Sequence, residues 1–327
     1  MAETVTTDIL IVGAGPIGLY GAYCAGFRGL RTVLVDALPQ CGGQITALYP
    51  EKEIRDIAAV PGTRGRDVVT ALKDQADAFG PAYLLGRQAV GLAHSPDGRP
   101  QVTLSDGVTV DAGAVVLTAG IGTFTPRSLP AGEEFLDRGL SYFVPDPAEH
   151  TDRDVLVVGG GDSAVDWALA LHPLARSVTL VHRRGTFRAH AASVRELHEC
   201  GVDIVTNAQV ETLAGDHRLR RAHLRVDGET EPRVLTVDAV VAALGFISNL
   251  GPLADWGVAL ERRTIVVDTR MRTTVERIYA AGDVTAYPGK VRLMSVGFGE
   301  VATAVNNAAV ALDPALSLFP GHSTESA

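Results

Sequence analysis

A pattern of strand, glycine-rich turn, helix and second strand occurs twice in this chain, and it constrains the fold more than any other feature. The first copy runs from Asp8 to Asp36, and the four apolar residues after Asp8 are typical of a strand buried on both faces of a sheet. Gly13, Gly15 and Gly18 then fill a G-x-G-x-x-G template at the turn into the helix. The second strand ends at Asp36, eighteen positions after the last glycine. This run predicts a βαβ unit that binds a dinucleotide.

Each part of the unit has a physical reason. The first glycine allows a tight turn, the second lets backbone approach a pyrophosphate, and the third lets the helix pack on the strand. The free N–H groups at the helix N-terminus favour that phosphate. The carboxylate of Asp36 can accept hydrogen bonds from the hydroxyls of an adenosine ribose. A glycine-rich turn without a ligand is the alternative, but all these parts in one run of about thirty residues favour the dinucleotide.

The second copy begins with a short apolar strand after Asp154. Gly159, Gly161 and Ala164 fill a G-x-G-x-x-A template at the start of the following helix. The distance from there to His182, at the end of the next strand, is again eighteen positions. The repeat indicates that one chain contains two nucleotide-binding units.

The residues at the end of the second copy carry the opposite charge. His182, Arg183 and Arg184 stand where the first copy has an acid, and Arg188 follows shortly after. Guanidinium groups at this position suit the 2′-phosphate of NADP and offer nothing special to a 2′-hydroxyl. A solvated basic turn is the alternative, but the glycine template in the same register favours NADP.

Length, charge and cysteine content exclude several classes of protein. The chain has 327 residues and a net charge of −9, which favours two domains and argues against nucleic-acid binding. No apolar run approaches the ~18 residues of a membrane span, and the first eight residues have no basic region of a signal peptide. Cys24, Cys41 and Cys200 form no C-x-x-C and the histidines are scattered, so we expect a reduced, cytoplasmic compartment and no metal site.

The rest of the chain has a less regular pattern. We expect one strand over residues 83–93 and an irregular connector over residues 126–147. Residues 295–312 are small and apolar at helical spacing, which predicts a largely buried helix. The tail from residue 317 is mostly polar, and its composition is typical of a disordered segment.

Taken together, these residues resemble the two-dinucleotide flavoproteins, in which one unit binds FAD and an inserted unit binds NAD(P)H. Gly282 and Asp283 resemble the second FAD signature of that family, and the strands that end at Gly120 and Gly245 resemble its domain crossover points. The resemblance implies an α/β fold with two Rossmann-like domains of the three-layer ββα type. It divides the chain into an FAD domain formed by residues 1–120 and 246–327 and an inserted NADPH domain formed by residues 121–245.

Cysteines and local phrases indicate the branch of the family. Thioredoxin reductases carry a C-x-x-C in the NADPH domain, and glutathione-reductase-type enzymes carry two cysteines near the first FAD loop. This chain has single cysteines there, Cys200 and Cys41, and one cysteine cannot form the internal disulfide of two-electron thiol chemistry. Other phrases closely resemble the thioredoxin-reductase-like ferredoxin–NADP⁺ reductases: Gly43-Gln44-Ile-Thr-Ala-Leu-Tyr49-Pro50, Phe187-Arg188-Ala189, Lys290-Val-Arg-Leu-Met294 and His322-Ser-Thr324.

The resemblance also implies which residues form the sites. Tyr49 would lie against one face of the isoalloxazine ring, and His322 would lie over the other face, reached by the tail of the second subunit of a homodimer. These two are the residues expected next to the reacting flavin. The other implied FAD contacts are Gly13, Gly15, Ile17, Gly18, Asp36, Gln44, Ala89, Phe124, Asp283 and Thr324. The implied NADPH contacts are Gly159, Gly161, Asp162, Ser163, Ala164, His182, Arg183, Arg184 and Arg188.

The activity that the resemblance implies is electron transfer between NADPH and ferredoxin, by hydride transfer to flavin N5 and single-electron transfer to the iron–sulfur protein. Two alternatives stay open: a reductase of a low-molecular-weight disulfide or quinone that uses Cys41, and a non-catalytic nicotinamide- and flavin-binding sensor. Because the chain is itself acidic, an acidic ferredoxin needs a local basic patch. The candidate residues for that patch are Arg262, Arg263, Arg270, Arg272, Lys290 and Arg292.

Overall fold

The computed structural model describes residues 3–122, 125–247 and 249–322. None of the helices in these ranges is long and apolar enough to cross a membrane. The α-helices are α1 Pro16–Phe27, α2 Gly43–Leu48, α3 Gly65–Asp77, α4 Asp162–Leu171, α5 Ala191–Glu199 and α6 Met294–Leu312. Short 3₁₀ turns are formed by Glu133–Phe135, Pro147–His150 and Gly251–Asp255.

The strands fall into three groups along the chain. The first group is β1 Thr4–Val12, β2 Thr32–Asp36, β3 Glu53–Ile54, β4 Thr63–Arg64, β5 Ala82–Leu85, β6 Ala89–His94, β7 Pro100–Leu104 and β8 Thr109–Leu117. The second group is β9 Thr125–Pro126, β10 Leu140–Ser141, β11 Asp154–Val158, β12 Ser177–His182, β13 Asp203–Thr206, β14 Ala208–Gly215, β15 Leu219–Val226, β16 Arg233–Thr236, β17 Ala239–Ala242 and β18 Phe246–Ile247. The third group is β19 Leu260–Glu261, β20 Thr264–Val266, β21 Ile278–Ala280 and β22 Thr285–Ala286.

The chain divides into two compact units. Unit 1 is formed by residues 1–124 and 248–327, and unit 2 is formed by residues 125–247 between them. The observed divisions fall four and two residues after those expected from the sequence, which were at 120 and 245. In unit 2, β9 pairs antiparallel with β18, so its first and last residues lie side by side.

Unit 1 is built on a parallel sheet in the order β5-β2-β1-β8, and β21 pairs with the C-terminal half of β8. The N-terminal half of β8 pairs antiparallel with β7, which pairs with β6. The single strand expected over residues 83–93 is wrong, because Gly86 turns the chain at a φ of +69°. As a result β5 joins the parallel sheet beside β2, whereas β6 joins the antiparallel part.

In unit 1, helix α1 packs against both α3 and α6. The contact between α1 and α6 is close, because a Cβ added at Gly21 would lie 2.7 Å from a methyl group of Val301. The helix predicted over residues 295–312 is confirmed and begins one residue earlier. It fills the core with small side chains, of which Val301, Ala304 and Ala308 are fully buried.

Unit 2 contains a parallel sheet in the order β10-β17-β11-β12-β13 and an antiparallel ribbon of β14, β15 and β16. Residues 126–147 were expected to be irregular. They do contain turns, but Leu140 and Ser141 form β10 at the edge of the parallel sheet. That strand is only two residues long, so it shows no periodicity in the sequence. The α/β fold with two parallel sheets agrees with the prediction.

The last described residues, 317–322, are held by a distant arginine, whereas composition predicted disorder from residue 317 onwards. Arg28 follows α1, and its guanidinium donates to the carbonyl oxygens of Ser317 at 2.8 Å and Leu318 at 3.5 Å. The rings of Phe319 and His322 meet edge to face with their centroids 5.1 Å apart. Composition reports only the side chains of a segment, so it cannot detect a contact made by the backbone of that segment.

Candidate functional site

The first glycine turn lies between β1 and α1. Its backbone is tightly packed at Gly13 and Gly18 but has free space beside it at Gly15. A Cβ added at Gly13 would lie 2.6 Å from the carbonyl oxygen of Thr118, and one added at Gly18 would lie 1.8 Å from that of Gly13. Gly15 differs, because an added Cβ would meet only the Cα of Gly43, at 3.9 Å. No side chain caps α1 and no acid lies in its first turn, so its N–H groups remain available to an anion.

The carboxylate of Asp36 is fixed at the end of β2 by backbone donors. Its Oδ2 accepts from the Ala14 N–H at 2.6 Å, and its Oδ1 accepts from the Leu38 N–H at 2.8 Å. Burial raises the pKa of this carboxyl, whereas the two hydrogen bonds lower it. Each oxygen keeps a second lone pair, so both can still accept hydrogen bonds from a ribose.

The turn at Gly282 and Asp283 lies against the first glycine turn. Gly282 has a φ of +84°, and a Cβ added there would lie 3.2 Å from Cγ1 of Ile17. Asp283 has no hydrogen-bond partner among the described residues, and burial raises the pKa of its carboxyl. A partly buried carboxylate without a donor is the type of group that a hydroxyl-bearing ligand can satisfy.

Gln44 and Tyr49 approach this site from α2. The Nε2 atom of Gln44 lies over Gly120, where an added Cβ would be 2.9 Å away. Tyr49 ends α2, and burial raises the pKa of its phenol to about 12, with the charge of Asp283 as the next contribution. The charge of Asp283 therefore acts on Tyr49, although the two residues are far apart in sequence.

Ala89 lies close to the strand that carries Asp36. It is buried at the start of β6, and the preceding segment is joined to β2 by the Arg87 N–H, which donates to the Asp36 carbonyl at 2.9 Å. Phe124, which was expected to line the same site, lies outside the described residues.

The second glycine turn lies between β11 and α4 in unit 2. A Cβ added at Gly161 would meet no atom within 4 Å, whereas one added at Gly159 would meet the Cβ of Ala164 at 2.7 Å. The second glycine of each template, Gly161 here and Gly15 in the first turn, therefore has free space beside it, whereas the first glycine, Gly159 or Gly13, is tightly packed. At the start of α4, Ser163 is exposed, and Asp162 accepts a hydrogen bond from the His190 N–H at 2.8 Å.

The basic segment that begins at the end of β12 contains one buried histidine and three exposed arginines. The ring of His182 lies against Gly160 and stacks on Phe187, with centroids 5.4 Å apart. Burial lowers the pKa of this imidazole, and the charges of the neighbouring arginines lower it further, which favours the neutral ring. The remaining residues of the segment, Arg183, Arg184 and Arg188, are exposed, and their guanidinium groups have no hydrogen bond or ion pair with other described residues.

The loop that carries these arginines folds back on the glycine turn. The N–H of Arg188 donates to the carbonyl oxygen of Gly160 at 2.7 Å. The cations are therefore held at the end of the sheet where the turn leaves backbone open. Residues 159–164 and 182–188 thus form one cationic site within unit 2.

The cysteines do not form a reactive pair. Cys24 and Cys41 are buried, Cys200 is partly buried, and all three are free thiols. Burial raises the pKa of Cys24 to about 12 and also raises the pKa of Cys41. A thiol with a raised pKa is a poor nucleophile, because the thiolate is the reactive form.

Two members of the basic patch expected for docking form ion pairs within the chain. Lys290 is buried and paired with Glu300, with side-chain exposures of 9% and 5%, so it does not present its charge to a partner. Arg272 is exposed but paired with Asp268 at 3.0 Å. Sequence reasoning missed Glu300. The available signal was that it is the one charged residue within the helix from Met294 to Leu312.

The tail residues of the predicted site are at the limit of the described chain. His322 is exposed at its end, whereas Thr324 lies outside the described residues. The structure therefore brings together Gly15, Asp36, Gln44, Tyr49 and Asp283 in unit 1. Because His322 was expected to reach the flavin from a second subunit, its position in one chain does not bear on that prediction. The unit 1 group fits a dinucleotide, because it offers an open backbone turn, an uncapped helix and two carboxylates that can accept further hydrogen bonds.

Comparison with known proteins identifies the family of this chain, and that family agrees with the dinucleotide-binding pattern of the two glycine turns. The model of the pyridine nucleotide-disulphide oxidoreductase family matches residues 7–309. The ferredoxin–NADP reductase of Salinispora tropica is 58% identical over 318 residues, which are 97% of this chain and 98% of that protein. That of Thermus thermophilus is 48% identical and covers 98% of this chain and 97% of its own.

Among solved structures, the thioredoxin reductase of T. acidophilum superposes with a TM-score of 0.82 at 25% identity, covering 93% of this chain and 98% of that chain. The resemblance drawn from the sequence motifs is therefore confirmed. The chain belongs to the pyridine nucleotide-disulphide oxidoreductase family, and its relatives within that family include the ferredoxin–NADP reductases.

Proposed function

We propose that the chain is an FAD-dependent oxidoreductase that transfers electrons between NADPH and ferredoxin. The observation that carries this proposal is the charge after each glycine turn, an acid at Asp36 in unit 1 and exposed arginines at 183, 184 and 188 in unit 2. The acid suits the ribose of FAD, and the arginines suit the 2′-phosphate of NADPH. Relatives named ferredoxin–NADP reductase at up to 58% identity support ferredoxin as the electron partner.

FAD, when bound, supplies hydride acceptance from NADPH and single-electron transfer to an iron–sulfur protein. The residues of unit 1 bind and orient it. Backbone at Gly15 and the N-terminus of α1 hold the pyrophosphate, and Asp36 accepts the ribose hydroxyls. Asp283 would face the ribityl–pyrophosphate region of FAD, and Ile17 packs against the turn that carries it. The other proposed contacts, Gly13, Gly18, Gln44, Ala89, Phe124 and Thr324, complete the FAD site.

Tyr49 has a separate role beside the isoalloxazine ring. Its phenol is protonated at neutral pH, since burial raises its pKa to about 12. It therefore presents an uncharged ring and an O–H, which exclude water from one face without adding charge.

Unit 2 binds NADPH through its glycine turn and its cations. The open position at Gly161 admits the pyrophosphate to the N-terminus of α4, and Arg183 and Arg184 contact the 2′-phosphate. His182 supports this site, since its buried ring packs under the turn at Gly160. The remaining proposed contacts are Gly159, Asp162, Ser163, Ala164 and Arg188.

In a homodimer, His322 from another copy of the chain would cover the second face of the flavin. Arg28 holds the tail at the C-terminal end of α1, whereas the glycine turn lies at the N-terminal end, about 18 Å away for a helix of 12 residues. Leu318 and Phe319, which are 53% and 58% exposed, supply apolar surface for such a contact. The free cysteines support a cytoplasmic location.

The thiol-dependent alternative lacks a supporting observation. Cys41 is buried, and burial raises its pKa, whereas an attacking thiol needs exposure and a lowered pKa. The sensor alternative predicts dinucleotide binding without turnover, so activity assays distinguish it from the enzyme.

The test is a visible spectrum of the purified protein, followed by NADPH-driven reduction of a panel of acceptors. We expect flavin absorbance and reduction of ferredoxin, with little activity on low-molecular-weight disulfides or quinones. A colourless, undamaged protein would contradict the FAD site. A yellow protein that reduces a disulfide but no ferredoxin would favour the alternative enzyme, and one without turnover would favour the sensor.

A further inference from the structure

The turn at Gly282 and Asp283 rests on a buried charged group. Glu300 is 5% exposed, and its Oε2 accepts the Gly282 N–H at 2.7 Å. Its Oε1 accepts from the Tyr287 O–H at 2.6 Å and from Nζ of Lys290. One buried carboxylate therefore joins the turn to two side chains that follow it in the chain.

All of these partners are donors, so both oxygens of Glu300 are needed as acceptors. A glutamine at this position has one oxygen and one NH₂ group, and the NH₂ group would face a donor at one end or the other. Removing either charge also leaves the other one buried without its ion-pair partner, because the side chains of Lys290 and Glu300 are only 9% and 5% exposed. The pair and the turn therefore form one unit.

The opposite side of the turn is closed by packing. Gly282 has a φ of +84°, and a Cβ there would lie 3.2 Å from Ile17, at the start of α1. A hydrogen bond on one side and a side-chain contact on the other leave the turn little freedom. The direction of the next side chain, Asp283, is set by that arrangement.

The charges of the pair also act on Asp283. Burial raises the pKa of its carboxyl; Lys290 and Arg292 lower it, and Glu300 raises it. Removing either charge of the pair should therefore change the pKa of the Asp283 carboxyl, which lies at the proposed FAD site.

We propose that Glu300 and Lys290 are positioning residues of the FAD site. Glu300 holds the Gly282 N–H and so fixes Asp283, and the balance of the two charges sets the electrostatic potential at the flavin. This inference rests on the proposed function in one respect only, that unit 1 binds FAD.

The test compares Glu300→Gln, Lys290→Met and the double variant with the unchanged protein. We expect Glu300→Gln to raise the dissociation constant of FAD for the apoprotein roughly 10- to 100-fold. An uncompensated lysine favours the more negative, reduced flavin, so its midpoint potential should become more positive. Lys290→Met should shift the potential in the negative direction, and the double variant should return close to the starting value.

The matched control is Val305→Ala, a change at a fully buried position of the same helix, five residues after Glu300. It should lower the melting temperature and leave the FAD dissociation constant and the potential unchanged. If Glu300→Gln does not fold, Tyr287→Phe keeps both charges and removes one donor, and it should raise the dissociation constant roughly two- to tenfold.

The inference is overturned if the single variants shift the potential in the same direction or not at all. It is also overturned if their FAD affinities match that of Val305→Ala. Both outcomes leave the proposed function intact when the unchanged protein binds FAD and reduces ferredoxin. Failure of the unchanged apoprotein to bind FAD would instead contradict the proposed function.

Discussion

Asp36 ends β2 in the first repeat, and Arg183 and Arg184 directly follow the corresponding strand β12 in the second repeat with the opposite charge. This difference in charge predicts which ribose group each unit prefers, a hydroxyl in unit 1 and a 2′-phosphate in unit 2. Asp36 is held by two backbone amides before any ligand binds, whereas the arginine side chains are exposed. We expect the FAD site to be preformed at this position and the NADPH site to lose side-chain entropy on binding.

Replacing Arg183 and Arg184 with alanine should weaken NADPH use selectively. A charge-assisted hydrogen bond to phosphate is worth roughly 1.5–3 kcal/mol, so KM for NADPH should rise by about one to three orders of magnitude. KM for NADH should change little, since NADH has no 2′-phosphate. Steady-state kinetics with both cofactors measure this difference. Arg225→Ala, an exposed change on β15, is the control, and equal losses for the two cofactors would assign the arginines to the fold.

Asp283→Asn should stabilise the apoprotein in a pH-dependent way. Burial raises the folded-state pKa of Asp283, so its contribution to stability is present at acid pH and lost as pH rises through the raised pKa. Asparagine does not ionise, so the variant does not lose stability as pH rises. The melting temperature of the Asp283→Asn apoprotein should therefore exceed that of the unchanged apoprotein by about 1–3 °C at pH 7.5 and by less at pH 4.5. FAD affinity should fall in the same variant. A stability difference independent of pH would contradict the argument.

The helix α6 shows how one element serves both the core and the site. Its buried face carries small residues that let α1 approach, and its one charge, Glu300, lies under the turn at Gly282. Two glycines of this helix, Gly297 and Gly299, differ only in what lies beside them. A Cβ at Gly297 would lie 2.6 Å from Cδ1 of Ile17, whereas one at Gly299 would meet nothing within 4 Å.

Alanine at these two glycines should therefore have opposite effects. Gly299→Ala should stabilise the protein by about 0.5–1 kcal/mol, because glycine in an exposed helix interior costs that much. Gly297→Ala should destabilise it by about 1–3 kcal/mol through overpacking against Ile17, and it should also weaken FAD binding. Thermal melts of the two variants with and without FAD measure both effects. The same sign of change at both positions would rule out this packing argument.

Elements with a strong local pattern could be predicted from the sequence, and those that depend on distant contacts could not. The glycine turns and the helix over residues 295–312 carry their signals in consecutive residues. The division of residues 83–93 into two strands depends on which sheet each half joins. Likewise, Lys290 has the sequence context of an exposed cation. Its burial depends on Glu300, ten positions later, which supplies the opposite charge.

At the scale of the whole molecule, the chain combines two dinucleotide-binding units and has no paired cysteines among the described residues. The proposed electron path therefore uses bound cofactors and no thiol. The environment of Cys41 agrees with a path that uses no thiol, because this thiol is buried and burial raises its pKa.

Cys41→Ser should keep the rate of NADPH-dependent ferredoxin reduction within about threefold, an effect below roughly 0.7 kcal/mol on the barrier. Stopped-flow absorbance should show no thiolate–flavin charge-transfer band in either protein. Cys24→Ser is the control for the loss of a buried thiol elsewhere in unit 1. A loss of about a hundredfold in Cys41→Ser alone, with unchanged FAD content, would move the function to the thiol-dependent reductase.

The position of unit 2 within the sequence of unit 1 has a consequence for synthesis. All strands of unit 2 are present once residue 247 has been translated, whereas unit 1 still lacks β21 and α6. Because domains fold as units and synthesis proceeds from the N-terminus, we expect the inserted unit to fold first. Until the last residues emerge from the ribosome, the C-terminal half of β8 has an unpaired edge and α1 lacks its cover. The nascent chain should therefore depend on chaperones most during its final quarter.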